Sequence, residues 1–318
     1  MNKKIAIVGT GLVGSGWSIV FARSGCNVSL FDVAPGAAAQ ARDVIGTQLD
    51  ELAKAELIEE EPRVVLDRVN VVEDLAAALQ GAAYVQESVL ERVDVKRDLF
   101  SQIDDVIEPD TLVGSSSSGI PASLYTDHVK CRERCLVAHP INPPYLAPVV
   151  ELVPAPWTAK STVREVRALM ELVGQTPVEL SREIEGFILN RLQGVLLMEA
   201  WRLVEAGLAS VEDVDRTVSQ GLGLRWAFMG PFETIDLNAP GGVADYATRL
   251  GPLYQSIAAS TTEQRVWEAP LIAKVEAQRR ESLPAEDLAG RRAWRDRRLM
   301  ALARHMREMR RADAEQTN

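Results

Sequence analysis

Two residues suited to acid–base chemistry, His139 and Glu151, lie twelve positions apart at the ends of a proline-rich loop. His139 follows the apolar run Cys135–Ala138, and Glu151 lies inside the apolar run Val149–Val153. An unpaired carboxylate is costly in apolar surroundings, so Glu151 requires a cationic or N–H partner. A carboxylate also fixes the tautomer of a neighbouring imidazole and raises its basicity. We expect an acid–base pair, with a buried pair that only holds the loop as the alternative.

A glycine-rich loop, Gly9–Gly14, predicts a site for a dinucleotide. It follows the apolar run Ile5–Val8, which predicts a strand, and a helical pattern continues from Trp17. In such a strand–turn–helix unit the glycines make the turn, admit a pyrophosphate close to the backbone and let the helix pack on the strand. The N–H groups at the start of the helix would bind the phosphates. The expected cofactor-binding residues of the loop are Gly9, Gly11, Leu12, Val13 and Gly14.

The residue expected to select the cofactor is Asp32, at the end of the second predicted strand. Its carboxylate can accept hydrogen bonds from both hydroxyls of an adenosine ribose, and it repels a 2′-phosphate. The next residues, Val33, Ala34 and Pro35, include no arginine that would bind such a phosphate. We therefore expect NAD rather than NADP. The alternative is a tight strand-to-helix turn that binds no nucleotide.

One cation, Arg225, stands alone in the apolar stretch Gly223–Met229. A lone guanidinium among apolar residues suggests a carboxylate partner. If the substrate provides that carboxylate, Arg225 favours a small free acid over a coenzyme A ester. The alternative is an ion pair within the protein or at a subunit interface, with a residue such as Glu233 or Asp236.

The elements that must position these residues alternate, in the first half of the chain, between short apolar runs and longer amphipathic stretches. This alternation predicts a parallel sheet with helices on both faces. The predicted strands are 4–8, 27–32, 69–72, 83–86, 111–114 and 135–138, followed by a strand-like run at 149–153. Helices are predicted at 37–57 and 94–106.

The second half of the chain predicts helices alone. The stretch 186–205 predicts one long helix that is apolar on most faces, so it must be covered by other helices or by a second subunit. We expect a homodimer formed through this half. Further helices are predicted at 211–219, 231–238, 261–280 and 285–309, and the arginines of the last one are expected to lie on a solvated face.

The predicted fold class is therefore α/β, with an N-terminal Rossmann-type domain and a C-terminal all-helical domain. The first, residues 1–181, is a doubly wound, mostly parallel sheet that binds NAD. The second, residues 182–318, is expected to serve substrate binding and dimerisation.

The composition agrees with a globular chain and excludes a disordered or coiled-coil one, because the 318 residues are 47% hydrophobic and 25% charged. The net charge of -10 argues against a nucleic-acid partner. No apolar run approaches the roughly 20 residues that span a bilayer, so we expect no membrane partner. Three cysteines cannot form a disulfide framework and match no zinc signature, so we expect a cytoplasmic protein without a metal. The other histidines, His128 and His305, are expected to be solvated.

Six segments, in order along the chain, resemble those of the 3-hydroxyacyl-CoA dehydrogenase superfamily. They are Gly9–Gly14, Glu87 with Glu91 and Lys96, Ser115–Gly119, Ala138–Pro144, Val150–Pro154 and Gly186–Leu192. Two stretches, His139–Tyr145 and Gly221–Pro231, are similar to the lambda-crystallin branch, which in that family is L-gulonate 3-dehydrogenase. The resemblance extends over residues 4–240.

The resemblance implies roles for several residues. His139 is similar to the catalytic base, and Glu151 is similar to the carboxylate paired with it. Ser115 and Asn190 match residues that hydrogen-bond the reacting oxygen of the substrate. From the residues alone, Ser115 could instead belong to a helix-capping turn, and Asn190 could make an interhelical hydrogen bond.

Glu91 and Lys96 match residues that lie near the nicotinamide ribose, which makes them expected cofactor contacts. Without the resemblance, Lys96 would be expected to be solvated, because it lies on a helix that follows the fourth predicted strand.

The activity that the resemblance implies is the NAD-dependent oxidation of a 3-hydroxy acid, of the L-gulonate 3-dehydrogenase kind. The alternatives are a 3-hydroxyacyl-CoA dehydrogenase acting on 3-hydroxybutyryl-CoA, a carnitine dehydrogenase, and a non-catalytic NAD-binding structural protein of the lambda-crystallin type. The lysine-dependent class related to 6-phosphogluconate dehydrogenase is disfavoured, because 186–205 contains no lysine.

Overall fold

A computed structural model describes residues 3–260 and 266–316, and its first half is built on an eight-stranded sheet. The strands are β1 Lys4–Val8, β2 Asn27–Phe31, β3 Val69–Val71, β4 Tyr84–Glu87, β5 Leu112–Ser115, β6 Cys135–Pro140, β7 Val149–Pro154 and β8 Thr176–Glu179. Their order across the sheet is β3-β2-β1-β4-β5-β6-β7-β8. All neighbouring strands are parallel except β6 and β7, which are antiparallel. The predicted Rossmann-type, mostly parallel sheet is confirmed.

The strand order reverses between β1 and β4. The chain leaves β1 for β2 and β3 on one side and then returns to place β4 on the other side of β1. In a doubly wound sheet a crevice opens at the carboxyl ends of the strands on either side of such a reversal, and ligands bind there. The glycine loop after β1 and the residues after β4 both lie at this edge.

The seven predicted strands all occur, with ends that differ by at most two residues, but β8 (Thr176–Glu179) escapes sequence analysis. It has four residues, and Pro177 occupies the second position, which weakens a strand pattern. Because β8 lies at the edge of the sheet and pairs only with β7 within the described residues, its proline is tolerated there.

The helices lie on both faces of the sheet in the first half and make up nearly all the ordered structure in the second half. They are α1 Leu12–Arg23, α2 Ala37–Lys54, α3 Pro62–Leu66, α4 Leu75–Leu79, α5 Val93–Asp104, α6 Ser123–Thr126, α7 Lys160–Leu172, α8 Leu189–Glu205, α9 Val211–Thr217, α10 Gly223–Trp226, α11 Pro231–Leu237, α12 Gly242–Ser260, α13 Ala269–Ser282 and α14 Leu288–Gln316. Short 3₁₀ turns occur at Lys130–Arg134 and Ala285–Asp287, and a π turn at Val218–Leu222. No described helix has the length and apolar character needed to span a membrane.

The sheet separates two apolar cores. Along β1, Ile5 and Ile7 pack into one core, and Ala6 and Val8 pack into the other, because successive strand residues point to opposite faces. Residues of α1, α2 and α7 fill the first core, and residues of α4, α5 and α6 fill the second.

The chain divides into two compact units, Met1–Gln193 with Arg297–Asn318 and Gly194–Asp296. The domain boundary expected after residue 181 stays a prediction, whereas the units divide within α8 and within α14. Every residue discussed below as part of the candidate active site belongs to the first unit, except Arg225.

Two predicted helices start later than expected. The helix predicted from residue 186 begins at Leu189, because Gly186 and Phe187 have positive φ angles of 74° and 51° that no right-handed helix contains. The helix predicted at 261–280 is α13 (Ala269–Ser282), and residues 261–265 lie outside the described part of the chain. Pro270 in the first turn of α13 is typical of a helix start.

The arginine-rich helix α14 is not simply a solvated face. Met300 is buried in the core shared with α1 and α2. Arg304 forms an ion pair of 3.2 Å with Glu56, and Arg307 donates to the carbonyl oxygen of that residue. Arg311 lies 3.7 Å from Glu59. The second half of α14 thus packs on the acidic loop between α2 and α3, a contact between parts of the chain that lie far apart in sequence.

Candidate active site

The strand pairing between β6 and β7 brings His139 and Glu151 opposite each other. The Nδ1 atom of His139 lies 2.7 Å from Oε2 of Glu151, and both side chains are buried. The pair expected from the sequence is therefore present. With Nδ1–H directed at the carboxylate, Nε2 of the neutral imidazole is left as the proton acceptor.

The second oxygen of Glu151 is held by the start of α8. Oε1 accepts hydrogen bonds from the backbone N–H groups of Ile188 at 2.7 Å and Leu189 at 2.9 Å. Burial acts to raise the pKa of Glu151, but the hydrogen bonds from His139, Leu189 and Ile188 outweigh it and hold the pKa below its usual value. Glu151 therefore remains a carboxylate and stabilises positive charge on His139.

Phe187 supports both members of this pair. Its ring is buried and lies 5.7 Å, centroid to centroid, from the ring of His139. Its left-handed backbone, following that of Gly186, turns the next two N–H groups toward Glu151. Sequence analysis gave Phe187 no role, because a positive φ at a phenylalanine has no signal in the sequence.

The glycine loop connects β1 to α1 with the geometry expected of a phosphate-binding turn. A Cβ atom on Gly9 would lie 2.6 Å from the carbonyl oxygen of Ser88, and one on Gly14 would lie 1.9 Å from that of Gly9. A Cβ on Gly11 would meet nothing within 4 Å, so the turn is open on that side. Leu12 and Val13 begin α1, where the first N–H groups of a helix have no intrahelical partner.

Asp32 is held in place beside this loop. Its Oδ2 accepts hydrogen bonds from the N–H and hydroxyl of Thr10 at 2.8 and 2.9 Å, and its Oδ1 accepts from the N–H of Ala34 at 2.9 Å. Asp32 and Gly11 line a cleft of about 660 Å³. The fixed carboxylate, the open turn and the helix start match the ribose and pyrophosphate of NAD.

Part of the lining of this cleft is apolar and was not found from the sequence. It includes Leu75 at the start of α4 and Val95 and Leu99 on α5. Such residues suit the flat face of an adenine ring, but in the sequence they cannot be told from other apolar helix positions.

Ser115, at the end of β5, is completely buried, and its hydroxyl donates to Oε2 of Glu87 at the end of β4. The Nζ atom of Lys96 lies 2.8 and 2.9 Å from the two oxygens of Glu87. Lys96 is 1% exposed, so it does not lie on a solvated helix face. The Ser115 hydroxyl gives its proton to Glu87, and its oxygen accepts the N–H of Ser117 at 3.2 Å.

Glu91 holds the loop that follows Ser115. Its Oε1 accepts from the hydroxyl of Ser117 at 2.7 Å and from the N–H groups of Ser118 at 2.8 Å and Gly119 at 3.1 Å. Burial acts to raise the pKa of Glu91, but these hydrogen bonds and the nearby charge of Lys96 lower it overall. The loop in turn contacts α8, because Asn190 Nδ2 donates to the carbonyl oxygen of Ser118 at 2.5 Å. The Asn190 partner is thus a loop carbonyl and not another helix.

The structure joins most of the expected site residues through one network of contacts, but Arg225 is not among them. Arg225 lies on α10 in the second unit, is exposed, and forms no ion pair with any described residue. The expected alternatives, Glu233 and Asp236, therefore do not pair with it here. The described residues contain no cluster of side chains that could hold a metal ion.

Glu87 is the polar residue that sequence reasoning left without a role of its own. It appears only as part of a family motif, although a glutamate that ends an apolar strand carries the same signal that identified Glu151. Applying that argument to β4 would have predicted a buried partner such as Lys96.

Two family models match the chain. That of the 3-hydroxyacyl-CoA dehydrogenase NAD binding domain matches residues 4–184, and that of the 3-hydroxyacyl-CoA dehydrogenase C-terminal domain matches residues 186–278.

Individual proteins are similar over most of the chain. A lambda-crystallin homolog from Bos taurus is 44% identical and covers 94% of each chain. An L-carnitine dehydrogenase from Streptomyces coelicolor is 35% identical, covering 84% of this chain and 85% of its own. The solved structure of 5-formyl-3-hydroxy-2-methylpyridine 4-carboxylic acid 5-dehydrogenase, an NAD+ dependent dismutase, has a TM-score of 0.81 and 29% identity, covering 96% of this chain and 99% of its own.

Replacing Glu151 should make stability depend on pH in a defined direction. Because the folded pKa of Glu151 is lowered, the carboxylate stabilises the fold above its unfolded pKa, and this contribution is lost as the pH falls through the folded value. Glu151→Gln should therefore be less stable than wild type by about 1–3 kcal/mol at pH 7. This difference in the free energy of unfolding should become smaller below about pH 4. Denaturant unfolding at several pH values measures it.

The matched control is Glu165→Gln, at an exposed position of α7. This variant should stay within about 0.5 kcal/mol of wild type at every pH. A difference in stability between Glu151→Gln and wild type that does not change with pH would contradict the assignment of Glu151 as a stabilised carboxylate.

Proposed function

The chain belongs to the 3-hydroxyacyl-CoA dehydrogenase family and is an NAD-dependent oxidoreductase, and we propose that its substrate is a small 3-hydroxy acid with a free carboxylate, of the L-gulonate kind. The observation that carries the proposed reaction is the buried His139–Glu151 pair at 2.7 Å. It provides a proton acceptor whose positive form is stabilised, which the oxidation of a secondary alcohol requires.

We propose that His139 is the general base. Nε2 takes the proton of the 3-hydroxyl group as the carbinol carbon becomes a ketone, and Glu151 stabilises the imidazolium that forms. NAD, when bound, supplies the hydride acceptor for this oxidation. In the reverse direction the imidazolium returns the proton to the alkoxide. The residues that would hold the cofactor are Gly9, Gly11, Leu12, Val13, Gly14, Asp32, Glu91 and Lys96.

The reacting oxygen also needs a hydrogen-bond donor. The amide of Asn190 has two N–H bonds, and one of them is used by the carbonyl oxygen of Ser118. The other is available to the substrate oxygen. Ser115, at the end of β5, is proposed as a second residue that hydrogen-bonds this oxygen.

The preference for a free acid has two supports. Two similar enzymes are named for substrates that carry a free carboxylate. These substrates are carnitine and a pyridine 4-carboxylic acid. Arg225 is exposed and forms no ion pair with a described residue, so it is available to such a carboxylate. We therefore propose Arg225 as the carboxylate-binding residue, with 3-hydroxybutyryl-CoA as the competing substrate.

We also propose a homodimer. On α8, Leu192 is 63% exposed and Val195 is 74% exposed, and α12 carries Leu253, Tyr254 and Ile257 with large exposed areas. Exposed apolar side chains of this kind are typical of a protein interface. A cytoplasmic location stays our prediction, supported by the three cysteines, which are buried thiols and form no disulfide.

Replacing His139 tests its proposed role as the base. His139→Ala should lower kcat at least about 100-fold, because it removes general acid–base help. Binding of NADH, followed by its fluorescence, should not change. The matched control is His128→Ala, since His128 lies outside the cleft and contacts Ser101 and Asp127. Unchanged turnover in His139→Ala would remove His139 from the mechanism.

The substrate proposal is tested by offering L-gulonate, L-carnitine and 3-hydroxybutyryl-CoA separately with NAD and recording NADH absorbance. L-Gulonate should give the highest kcat/KM of the three. Arg225→Met should raise the KM for the preferred acid about tenfold or more, because a hydrogen-bonded ion pair is lost. Arg216→Met, an exposed position of α9 paired with Glu212, is the control. Preference for the thioester, with no effect of Arg225→Met, would refute the free-acid proposal.

The dimer is tested by light scattering at micromolar concentration. Wild type should have twice the mass of one chain, and Val195→Glu should shift toward the monomer, because it buries a charge in the proposed interface. Arg164→Glu, an exposed position of α7, should leave the mass unchanged. A monomeric wild type would contradict the proposal.

A further inference from the structure

A row of four polar side chains runs from the interior of the sheet to the cofactor cleft, and the proposed reaction does not use it. The row starts at Tyr84, passes through Gln86 and Ser116, and ends at Ser88. Tyr84 and Gln86 are 0% exposed and share one face of β4, because side chains alternate along a strand. Both serines are half-buried. A side chain as deeply buried as Gln86 needs hydrogen-bond partners, and these partners fix the direction of its amide.

The amide of Gln86 can point in only one direction. Its Oε1 accepts from the hydroxyl of Tyr84 at 2.6 Å, and its Nε2 lies 2.7 Å from Oγ of Ser116 and 3.3 Å from the carbonyl oxygen of Ala138. A carbonyl oxygen can only accept, so the nitrogen of the amide must be the atom that faces Ala138. Burial raises the pKa of Tyr84, so the phenol keeps the proton that it donates. The hydroxyl of Ser116 therefore accepts a hydrogen bond from Gln86.

The two serines have one hydroxyl proton more than the contact between them uses. Oγ of Ser88 lies 2.8 Å from Oγ of Ser116, and this contact uses one proton. Gln86 acts as a donor to Ser116, so it cannot accept the second proton. Within residues 3–260 and 266–316, neither hydroxyl donates to any further acceptor. One O–H group of the pair can therefore donate to a bound molecule.

Ser88 carries this O–H group to the cofactor cleft. It follows β4 and lines the cleft together with Gly9 and Asp32. Its N–H donates to the carbonyl oxygen of Val8 at 2.7 Å, which fixes Ser88 beside the glycine turn. When Ser116 gives its proton to Ser88, the proton of Ser88 is the one left for a ligand in the cleft.

The strand order indicates which half of the cofactor Ser88 meets. A doubly wound sheet binds a dinucleotide across the crevice, with one mononucleotide unit on each half of the sheet. Asp32 follows β2 and Ser88 follows β4, and these strands lie on opposite sides of β1. Because Asp32 is suited to the adenosine ribose, Ser88 lies on the side of the nicotinamide half.

We infer that Ser88 binds NAD by donating its hydroxyl proton to an oxygen of the nicotinamide half, and that Gln86 is the positioning residue that orients it through Ser116. Every donor in the row then points the same way, from Tyr84 toward the cleft. Hydrogen bonds aligned in this way polarise one another. The oxygens that qualify as acceptors belong to a phosphate, the ribose or the carboxamide. The inference goes beyond the proposed function, since it concerns how the cofactor is held and not which acid is oxidised.

The test measures the binding of NADH, ADP-ribose, ADP and AMP without substrate. These ligands shorten the cofactor from its nicotinamide end, one group at a time. NADH is followed by its fluorescence, and the other three are followed by its displacement. Ser88→Ala should weaken NADH binding about threefold or more, because a hydrogen bond is lost. AMP binding should not change, because AMP contains no part of the nicotinamide half.

The smallest ligand whose affinity falls in Ser88→Ala contains the acceptor. A loss that begins with ADP indicates a phosphate oxygen, one that begins with ADP-ribose indicates the ribose, and one with NADH alone indicates the carboxamide. Unchanged NADH affinity, or an equal loss with AMP, would overturn the inference.

The matched control is Ser101→Ala on α5. The hydroxyl of Ser101 donates to the carbonyl oxygen of Arg97 and contacts His128. This variant should leave all four affinities unchanged, and a loss equal to that of Ser88→Ala would overturn the assignment of Ser88.

The role of Gln86 is tested with Ser116→Ala, which interrupts the row at a half-buried position. In this background Ser88→Ala should lower the NADH affinity by less than about twofold, because residues that act as a unit are not additive. Gln86→Met should weaken the same ligands as Ser88→Ala. Equal losses from Ser88→Ala with and without Ser116 would overturn the role of Gln86.

Thermal unfolding checks that each variant is folded. If Gln86→Met does not fold, the cycle of Ser88→Ala with Ser116→Ala decides the role of Gln86, because it leaves the buried amide in place. None of these measurements needs a substrate. A wild type that oxidises none of the three substrates would therefore refute the proposed function without changing the outcome for Ser88.

Discussion

A carboxylate taken out of water must be matched by positive charge or by hydrogen-bond donors, and the site in this protein depends on that requirement at two strands of the sheet. Glu151 on β7 and Glu87 on β4 are both buried. Each is satisfied by groups from a different element, which ties the strand to the helix or loop beyond it. These contacts hold the start of α8, Ser115 and His139.

The two carboxylates are matched in different ways, and the difference suits different tasks. Glu87 pairs with the ammonium group of Lys96, and this contact does not involve His139. Glu151 faces an imidazole and two backbone N–H groups, so its surroundings hold a charge that is only partly balanced when His139 is neutral. A proton that arrives on His139 completes that balance. The first arrangement is suited to holding a structure, and the second is suited to accepting a proton.

The doubly wound topology explains why these groups meet the cofactor loop. The glycine turn after β1, Asp32 after β2, Glu87 on β4 and Ser115 on β5 all lie at the carboxyl ends of parallel strands, which share one edge of the sheet. β7 runs antiparallel to β6, so Glu151 reaches His139 by direct cross-strand pairing. Family membership agrees with this arrangement and makes the chain an NAD-dependent oxidoreductase. Which hydroxy acid it oxidises depends on contacts outside the sheet.

The sequence by itself determined the features that depend on local patterns: seven of the eight strands, the glycine turn, and the need of Glu151 for a partner near His139. These could be predicted because strand periodicity, turn chemistry and the cost of a buried charge are expressed within a few residues. Only the tertiary structure decided that Lys96 is buried between Glu87 and Glu91, that Phe187 adopts a left-handed backbone, and that the arginines of α14 contact Glu56 and Glu59. The physical reason is that a polar side chain has the same local sequence whether it faces water or a partner, and only the packing of distant elements determines which of the two it meets.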